Sequence, residues 1–141
     1  MNRGPKRLVC SASAQYEWTG KGSGPAIRFL ATDLDGTLLT SEKRITAHTK
    51  RIIIDAQNRG LTVILASGRP LYSILPFAKD LELDKHHGFI IAYNGGLIYD
   101  CASGETICEY TIPACMIPAL RAAVPCEAFH LHGYKGNSIV V

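Results

Sequence analysis

Two acidic residues separated by a single leucine are the feature of this sequence most suited to chemistry. Asp33 and Asp35 follow an apolar segment, residues 29–32, and Gly36 comes immediately after them. In an extended chain, residues i and i+2 point to the same side, so both carboxylates would face one site. Such a pair repels itself unless a cation lies between the two groups or one of them holds a proton. The spacing therefore favours a hard cation such as Mg²⁺, with one acid as nucleophile and the other as proton carrier.

Two other interpretations apply to the same stretch. A solvated, Asp-rich turn is one of them, because Asp and Gly dominate turns for purely local reasons. An EF-hand calcium loop is the other, and it requires a glutamate at its twelfth position. Counted from Asp33, that position is Arg44, and the glycine comes too early. The calcium loop is excluded, whereas the solvated turn stays open at this point.

Apolar segments alternate with amphipathic segments in the first two thirds of the chain. The apolar segments are residues 29–32, 61–66 and 88–92. Each is short and rich in apolar residues, which predicts a buried strand in all three cases. Thr46 is a predicted N-cap for a helix that ends near Asn58, and a second helix is predicted over residues 70–81, with Pro70 in its first turn. Strands and helices in this alternation predict an α/β fold, a parallel sheet with helices on both faces.

Polar residues follow each of the three predicted strands, and a parallel sheet brings such strand ends to one edge. These residues are Asp33, Asp35, Ser67, Arg69 and Asn94. A hydroxyl group together with backbone N–H groups at a helix N-terminus makes a natural phosphate site. Taken singly, Ser67 is equally typical of a helix cap, and Asn94 with its following glycine is typical of a tight turn. Their occurrence at three successive strand ends favours a phosphate-binding crevice.

Composition and charge exclude several classes of protein. Of the 141 residues, 47% are hydrophobic and 19% are charged, which is typical of a globular chain and not of a disordered one. The net charge of +3 lies in residues 1–25, because the remainder holds eleven basic and eleven acidic residues. Residues 26–141 have no net charge and therefore lack the excess of basic residues typical of nucleic-acid-binding proteins. No apolar run approaches the length of a membrane span. Five cysteines without a CxxC pattern indicate reduced thiols and hence a cytoplasmic compartment.

Residues 1–25 differ in composition from the remainder. They mix Gly, Ser, Ala, Pro and basic residues without periodicity, which predicts an unstructured extension. Their Arg, Lys, Ser and Ala content weakly resembles that of an organellar transit peptide, but the apolar core of a secretory signal is missing. The other interpretations are a flexible extension and a start codon assigned too far upstream, and we favour these two over a transit peptide.

Three motifs occur in a defined order and spacing. They are Asp33-Leu34-Asp35-Gly36-Thr37-Leu38-Leu39, Ala66-Ser67-Gly68-Arg69-Pro70 and Tyr93-Asn94-Gly95-Gly96. Together they resemble the haloacid-dehalogenase-like (HAD) hydrolase superfamily, and most of all its Cof-type branch of sugar-phosphate phosphatases. The similarity extends from about Ile27 to Asp100. It implies a Rossmann-like, partial HAD core over residues 26–100, followed by the beginning of an α/β cap domain over residues 101–141.

The resemblance also implies roles for individual residues. Asp33 would attack phosphorus and become an aspartyl-phosphate, whereas Asp35 would protonate the leaving oxygen and then activate water. Mg²⁺ would be held by the Asp33 carboxylate and the Asp35 main-chain carbonyl. The residues expected to bind the phosphate are Ser67, Gly68, Arg69, Asn94, Gly36 and Thr37. The implied substrate is a small phosphorylated metabolite.

The part of the chain after Asp100 is expected to begin the cap. Hairpins are predicted around residues 103–105 and 135–137, with a short helix over 114–124 between them. The family also has a later phosphate-binding Lys and a later Gly-Asp motif that completes the metal site. Neither can be placed here, since Lys135 lies in the wrong segment. We therefore expect the N-terminal portion of such an enzyme, with an unpaired sheet edge that favours self-association.

Three functions follow from these observations. The first is a Mg²⁺-dependent phosphatase seen in part, and the second is a non-catalytic remnant that binds phosphate or metal weakly. The third, from another class, is a receiver-like domain that keeps its aspartyl-phosphate. That domain needs an acidic pair on an earlier strand and a Lys on a later one, and neither is found in the sequence.

Overall fold

The computed structural model describes residues 27–124, 131–136 and 138–140. Five strands form the main sheet: β1 (Phe29–Thr32), β2 (Thr62–Ala66), β3 (Phe89–Ala92), β4 (Leu97–Asp100) and β5 (Glu105–Glu109). Three α-helices accompany them: α1 (Ala47–Asn58), α2 (Leu71–Asp80) and α3 (Ile117–Ala123). Short 3-10 helices cover Tyr93–Gly95 and Ala114–Met116, and a separate hairpin consists of β6 (Gly133–Lys135) and β7 (Ser138–Val140). The predicted order of strands and helices is confirmed, with ends that differ by a few residues.

The sheet has the strand order β1-β2-β3-β4-β5. Strands β1, β2 and β3 are parallel, whereas β4 and β5 continue the sheet as antiparallel neighbours. The sheet is therefore mixed, and its parallel part carries the three motif-bearing strand ends. Those ends lie along one edge of the sheet, as predicted for strands joined by helical crossovers.

Helix α1 begins where its sequence predicts. The side chain of Thr46 accepts a hydrogen bond from the backbone N–H of Thr49 at 3.1 Å, which satisfies one free donor of the first turn. Near the other end, the buried Gln57 donates from Nε2 to the Leu81 carbonyl oxygen at 2.8 Å. This bond fixes α1 against the segment that follows α2.

The two crossover helices lie side by side. Lys50 of α1 forms an ion pair with Asp80 at the end of α2, in addition to the bond made by Gln57. Because β1, β2 and β3 are adjacent in order, both right-handed crossovers run in the same direction and place both helices on one face. The sequence predicts helices on both faces of the sheet, and α1 and α2 supply them for one face only.

The core lies between these helices and the inner strands. Val63 and Leu65 of β2 and Ile90 and Ala92 of β3 are fully buried, and Ile74 of α2 packs with them. Alternate residues of the same strands are only half-buried. Inner strands therefore bury one face completely and the other in part.

Strand β1 departs from the prediction that it is buried. Phe29 is 62% exposed and Leu30 is 38% exposed, because β1 pairs with β2 on one side and forms the edge of the sheet. Its apolar sequence is that of an interior strand, but the described part of the chain contains no strand on its outer side. Among the described residues β1 is therefore an edge strand, and self-association through such an edge stays a prediction.

The segment after Cys101 packs more loosely than the core. The first predicted hairpin is confirmed as β4 and β5, and the predicted helix is confirmed as a 3-10 turn followed by α3. The second hairpin is also confirmed, as the antiparallel pair of β6 and β7. Residues 1–25, predicted to be an unstructured extension, lie outside the described residues.

Candidate active site

The acidic loop begins at the end of β1. Leu34 is completely buried between Asp33 and Asp35, whereas both acids are exposed, so the acids share the outward side as predicted. The loop turns back at once, with the Leu38 N–H donating to the Asp33 carbonyl at 3.3 Å. Gly36 has φ +77°, a left-handed conformation that a residue with a Cβ adopts only with strain. The buried leucine and this glycine together present the two carboxylates at the sheet edge.

The second motif follows β2. The Ser67 N–H donates to the Ile91 carbonyl at 2.9 Å, which continues the pairing with β3 past the last residue of β2. The Ser67 hydroxyl accepts a bond from the Arg69 N–H at 3.2 Å and so stabilises the turn before α2. The first residue outside α2 is Pro70, so Ser67 is not the N-cap of that helix. Its hydroxyl oxygen can accept this bond and still donate its proton to a ligand.

The third motif interlocks with the second. The Asn94 N–H donates to the Ser67 carbonyl at 3.2 Å, and the Tyr93 N–H donates to the Arg69 carbonyl at 3.1 Å. Tyr93 and Asn94 both have φ +54°, a left-handed conformation unusual for residues other than glycine. Because a Cβ on Gly68 would lie 2.8 Å from Asn94 Oδ1, a glycine at position 68 permits this close approach. Strained backbone of this kind is concentrated at functional sites in folded proteins.

The carboxylate of Asp35 is held by two cations. Arg69 Nε donates to Asp35 Oδ2 at 2.6 Å and Arg69 Nη2 donates to Oδ1 at 2.7 Å, a bidentate pair. Lys43 Nζ lies 2.6 Å from Asp35 Oδ1. Lys43 reaches it from a tight turn, in which its own N–H donates to the Thr40 carbonyl at 2.9 Å. The Arg69 guanidinium also lies 5.6 Å from the ring centre of Phe77, a cation–π contact that fixes its position.

These ion pairs set the protonation state of Asp35. Hydrogen bonds from Arg69 and then from Lys43 hold the pKa of the Asp35 carboxyl well below its usual range. The same pairing raises the pKa of Arg69. Asp35 is therefore ionised at neutral pH in this arrangement, and its protonation costs more free energy than it would without the two cations.

One cavity of about 760 Å³ collects most of the predicted residues. Its walls include Asp33, Asp35, Ser67, Gly68, Arg69 and Asn94. Gly36 and Thr37 do not line it, since they lie in the turn that follows the acids. Six of the eight residues assigned from the sequence are thus brought together, and two shape the loop behind them.

Two residues at the site were not predicted. Lys43 follows Asp35 by eight residues, and its opposite charge so soon after the acidic motif is a signal that could have indicated an ion pair. Tyr134 lines the cavity from β6, and nothing local in its sequence indicates this position. Its ring centre lies 5.1 Å from that of Tyr93 in an edge-on arrangement.

The donor atoms available for a metal are of the right chemical type. Mg²⁺ prefers oxygen ligands, takes about six of them and keeps several waters. The Asp33 carboxylate and the Asp35 main-chain carbonyl supply such oxygens, whereas the Asp35 carboxylate is already paired with cations. The residues present fit Mg²⁺ in kind and would fill part of its coordination shell. Within the described ranges, no cluster of three or more His, Cys, Asp or Glu side chains is arranged to hold a metal.

The class of protein that carries this site follows from a comparison with known families. A family model described as haloacid dehalogenase-like hydrolase matches residues 30–141. The chain therefore belongs to the haloacid dehalogenase-like hydrolase family, as the three motifs predicted. None of the described helices is both long and apolar enough to cross a membrane.

Individual relatives agree with the family assignment. The chain is similar to pyridoxal phosphate phosphatase of Escherichia coli K12, with 34% identity over 106 residues, 75% of this chain and 37% of that protein. A Bacillus subtilis relative is named 5-amino-6-(5-phospho-D-ribitylamino)uracil phosphatase and is 35% identical over 74 residues, 52% of this chain and 28% of that protein. A haloacid dehalogenase-like hydrolase from Bacteroides thetaiotaomicron matches 81% of this chain and 43% of its own length, with a TM-score of 0.71 and 35% identity. The chain spans less than half the length of each of these three proteins.

Proposed function

We propose that this chain carries the nucleophile and part of the phosphate site of a Mg²⁺-dependent phosphatase that acts on a small phosphorylated metabolite. The observation that supports this proposal most is the convergence of Asp33, Asp35, Ser67, Arg69 and Asn94 on one cavity. The names of two relatives give phosphorylated small molecules as their substrates. The cytoplasm remains the proposed compartment, because five cysteines without a CxxC pattern favour reduced thiols.

The reaction we propose has two steps. An Asp33 carboxylate oxygen attacks phosphorus, the ester P–O bond breaks, and the leaving oxygen takes a proton from Asp35. Water then attacks phosphorus in the aspartyl-phosphate and gives a proton back to Asp35, which releases phosphate and restores Asp33. Mg²⁺, when bound, would neutralise charge on the phosphoryl oxygens.

In this scheme Arg69 can pair with either of two anions, the Asp35 carboxylate or the phosphate group of the substrate. Arg69 donates two parallel hydrogen bonds to Asp35, and two oxygens of a phosphate group could accept the same two bonds. An entering phosphate can therefore draw the guanidinium away from Asp35, whose pKa then rises towards its usual range. Asp35 would then take up a proton at a lower free-energy cost than in the ion-paired state, although a carboxyl at its usual pKa of about 4 is still mostly ionised at neutral pH.

A second function is favoured by the same ion pairs. Arg69 and Lys43 stabilise the ionised form of Asp35, and an ionised acid cannot protonate a leaving group. If they do not release it, the chain binds phosphate or metal without turnover. Binding without hydrolysis would identify this non-catalytic alternative.

The experiment is hydrolysis of p-nitrophenyl phosphate by residues 1–141, with and without Mg²⁺. We expect slow turnover, because both cations next to the acids are occupied by Asp35, and one missing electrostatic partner costs about 100- to 1,000-fold in rate. Asp33→Asn should remove the remaining activity. Asp55→Asn, which changes an exposed acid on α1, is the matched control and should leave it unchanged. Equal rates for the parent chain and Asp33→Asn would rule out Asp33 as the nucleophile.

A covalent intermediate gives an independent measurement. Acid quenching during turnover should trap one phosphoryl group on the chain, detected as added mass on the peptide that contains Asp33. The adduct should be absent from Asp33→Asn and present in Asp55→Asn. A phosphoryl group found on another peptide would contradict the proposed role of Asp33.

A further inference from the structure

A second cavity adjoins the candidate active site. It has a volume of about 750 Å³, within the range of small-molecule sites. It lies between α2, the end of β5, α3 and the β6–β7 hairpin. Tyr134 lines this cavity and the phosphate-facing one, so the two spaces share a wall. A ligand held by its phosphate group near Ser67 could extend past Tyr134 into the second cavity.

The chemistry of this second cavity differs from that of the first. Aliphatic side chains such as Leu71, Ile117 and Leu120 form much of its surface. Glu109 and Arg121 are its two fully charged side chains, and their formal charges cancel. A lining of this kind favours an apolar group without net charge.

Aromatic side chains occupy the boundary between the cavities. The rings of Tyr93 and Tyr134 meet at 60° with their centres 5.1 Å apart, and His132 lies edge-on to Tyr134 at 5.9 Å. All three side chains also line the second cavity, where another aromatic group could contact them. Aromatic pairs in such geometries gain free energy beyond the area that they bury.

We propose that the apolar cavity binds the leaving-group side of a phosphomonoester, and that Tyr93 and Tyr134 select a flat, uncharged aromatic group there. This inference rests on the proposed phosphatase function of the adjoining site. It adds a substrate class, an aryl or heteroaryl phosphate ester, and two residues that determine specificity.

The test compares three phosphonates, which keep the anionic head but cannot be hydrolysed. Methylphosphonate, cyclohexylphosphonate and phenylphosphonate are titrated into residues 1–141 and followed by NMR at Ser67, Asn94 and Tyr134. We expect phenylphosphonate to bind about 2- to 10-fold more tightly than cyclohexylphosphonate, the gain of one aromatic pair. Methylphosphonate should bind most weakly and should leave Tyr134 least perturbed.

Variants then assign the preference to its residues. Tyr134→Leu should remove the preference for phenyl over cyclohexyl, whereas Tyr134→Phe should keep it because the ring remains. Ile107→Ala changes an exposed apolar residue of β5 that lines neither cavity, and it should leave all three affinities unchanged. The ratio of two affinities within one variant is insensitive to a general loss of stability.

The outcomes separate this inference from the function on which it rests. If Ser67 and Asn94 respond to all three ligands with equal affinity, or cyclohexylphosphonate binds best, the aromatic selection is wrong and the phosphate site stands. If none of the ligands perturbs Ser67 or Asn94, the proposed phosphate site fails, and the inference fails with it. A phenyl preference that Tyr134→Leu leaves intact would also overturn the role of Tyr134.

Discussion

The candidate site consists of two regions that differ in burial: the loops after β2 and β3, and the acidic loop after β1. Ser67, Arg69 and Asn94 follow β2 and β3, whose inward side chains are fully buried and whose loops bond to each other. Asp33 and Asp35 follow β1, an edge strand with two large exposed apolar residues. The phosphate-facing half is therefore built into the core. The acidic half depends on Leu34, on a short turn and on the ion pairs of one carboxylate.

This difference in burial suits the different roles proposed for the two regions. A phosphate-binding loop works by holding its donors in fixed positions before the ligand arrives, which the interior strands provide. An acid that carries protons must change partners, and its exposed position allows that change. The contrast also predicts that mutations on the two sides will have different consequences.

The largest expected effect concerns stability on the two sides. Leu65→Ala removes a fully buried side chain of β2 and should lower the free energy of unfolding by about 2–5 kcal/mol. Phe29→Ala removes a larger side chain from β1, but most of that side chain is already in water. We expect a loss of less than about 1 kcal/mol there. Denaturant titration of both variants measures the difference, and equal losses would show that β1 is covered in solution.

The second effect concerns the contact between the two interior loops. Gly68→Ala places a Cβ 2.8 Å from Asn94 Oδ1, so the amide of Asn94 must shift. We expect several-fold weaker binding of methylphosphonate with little change in stability, because the displaced group is the end of a side chain. Gly133→Ala is the control, since its Cβ would meet Val140 at an ordinary 3.7 Å. Unchanged affinity in Gly68→Ala would remove Asn94 from the phosphate site.

How much the sequence predicts follows the same division. The alternation of apolar residues, the Thr46 cap and the polar residues after each strand are local signals, and the structure contains the corresponding elements. The exposure of β1 depends on which strands lie beside it, and residues 29–32 hold no information about that. The approach of Tyr134 to Tyr93 is likewise a tertiary contact between distant segments, and periodicity cannot reveal it. The sequence predicts that Arg69 binds phosphate, whereas in the structure it binds Asp35. Carboxylate and phosphate groups both accept two parallel hydrogen bonds from a guanidinium, so the residue type alone does not distinguish between these partners.

The third effect concerns association through β1. Among the residues that the structure describes, no strand pairs with the outer edge of β1, and exposed apolar side chains lie beside it, so we propose that two copies of the chain associate there. Phe29→Lys should shift the chain towards the monomer, since edge strands are commonly protected by lysine. Ile52→Lys is the matched control, because Ile52 is 51% exposed on α1. Sedimentation velocity over a range of concentrations measures the shift. A parent chain that is monomeric throughout, or an equal response to both variants, would contradict pairing at this edge.

The smallest effect on stability should come from the Asp35 ion pairs, because they are exposed to solvent. Arg69 and Lys43 lower the pKa of Asp35 in the folded chain, so their contribution to stability is fully present above the usual carboxyl pKa of about 4. It is lost as the pH falls below that value towards the folded pKa. Arg69→Met should raise the pKa of Asp35, measured by NMR titration of its side-chain carboxyl carbon.

Two comparisons sharpen this measurement. Lys43→Met should also raise the pKa of Asp35, but by less, since Arg69 makes the bidentate bond and the larger contribution. Arg59→Met, which changes an exposed residue at the end of α1, should leave the Asp35 titration unchanged. Adding phosphate to the parent chain should shift the pKa of Asp35 upwards if the guanidinium transfers to the ligand. An Asp35 pKa that phosphate leaves unchanged would show that Arg69 stays paired with Asp35, and would favour the non-catalytic function over the phosphatase.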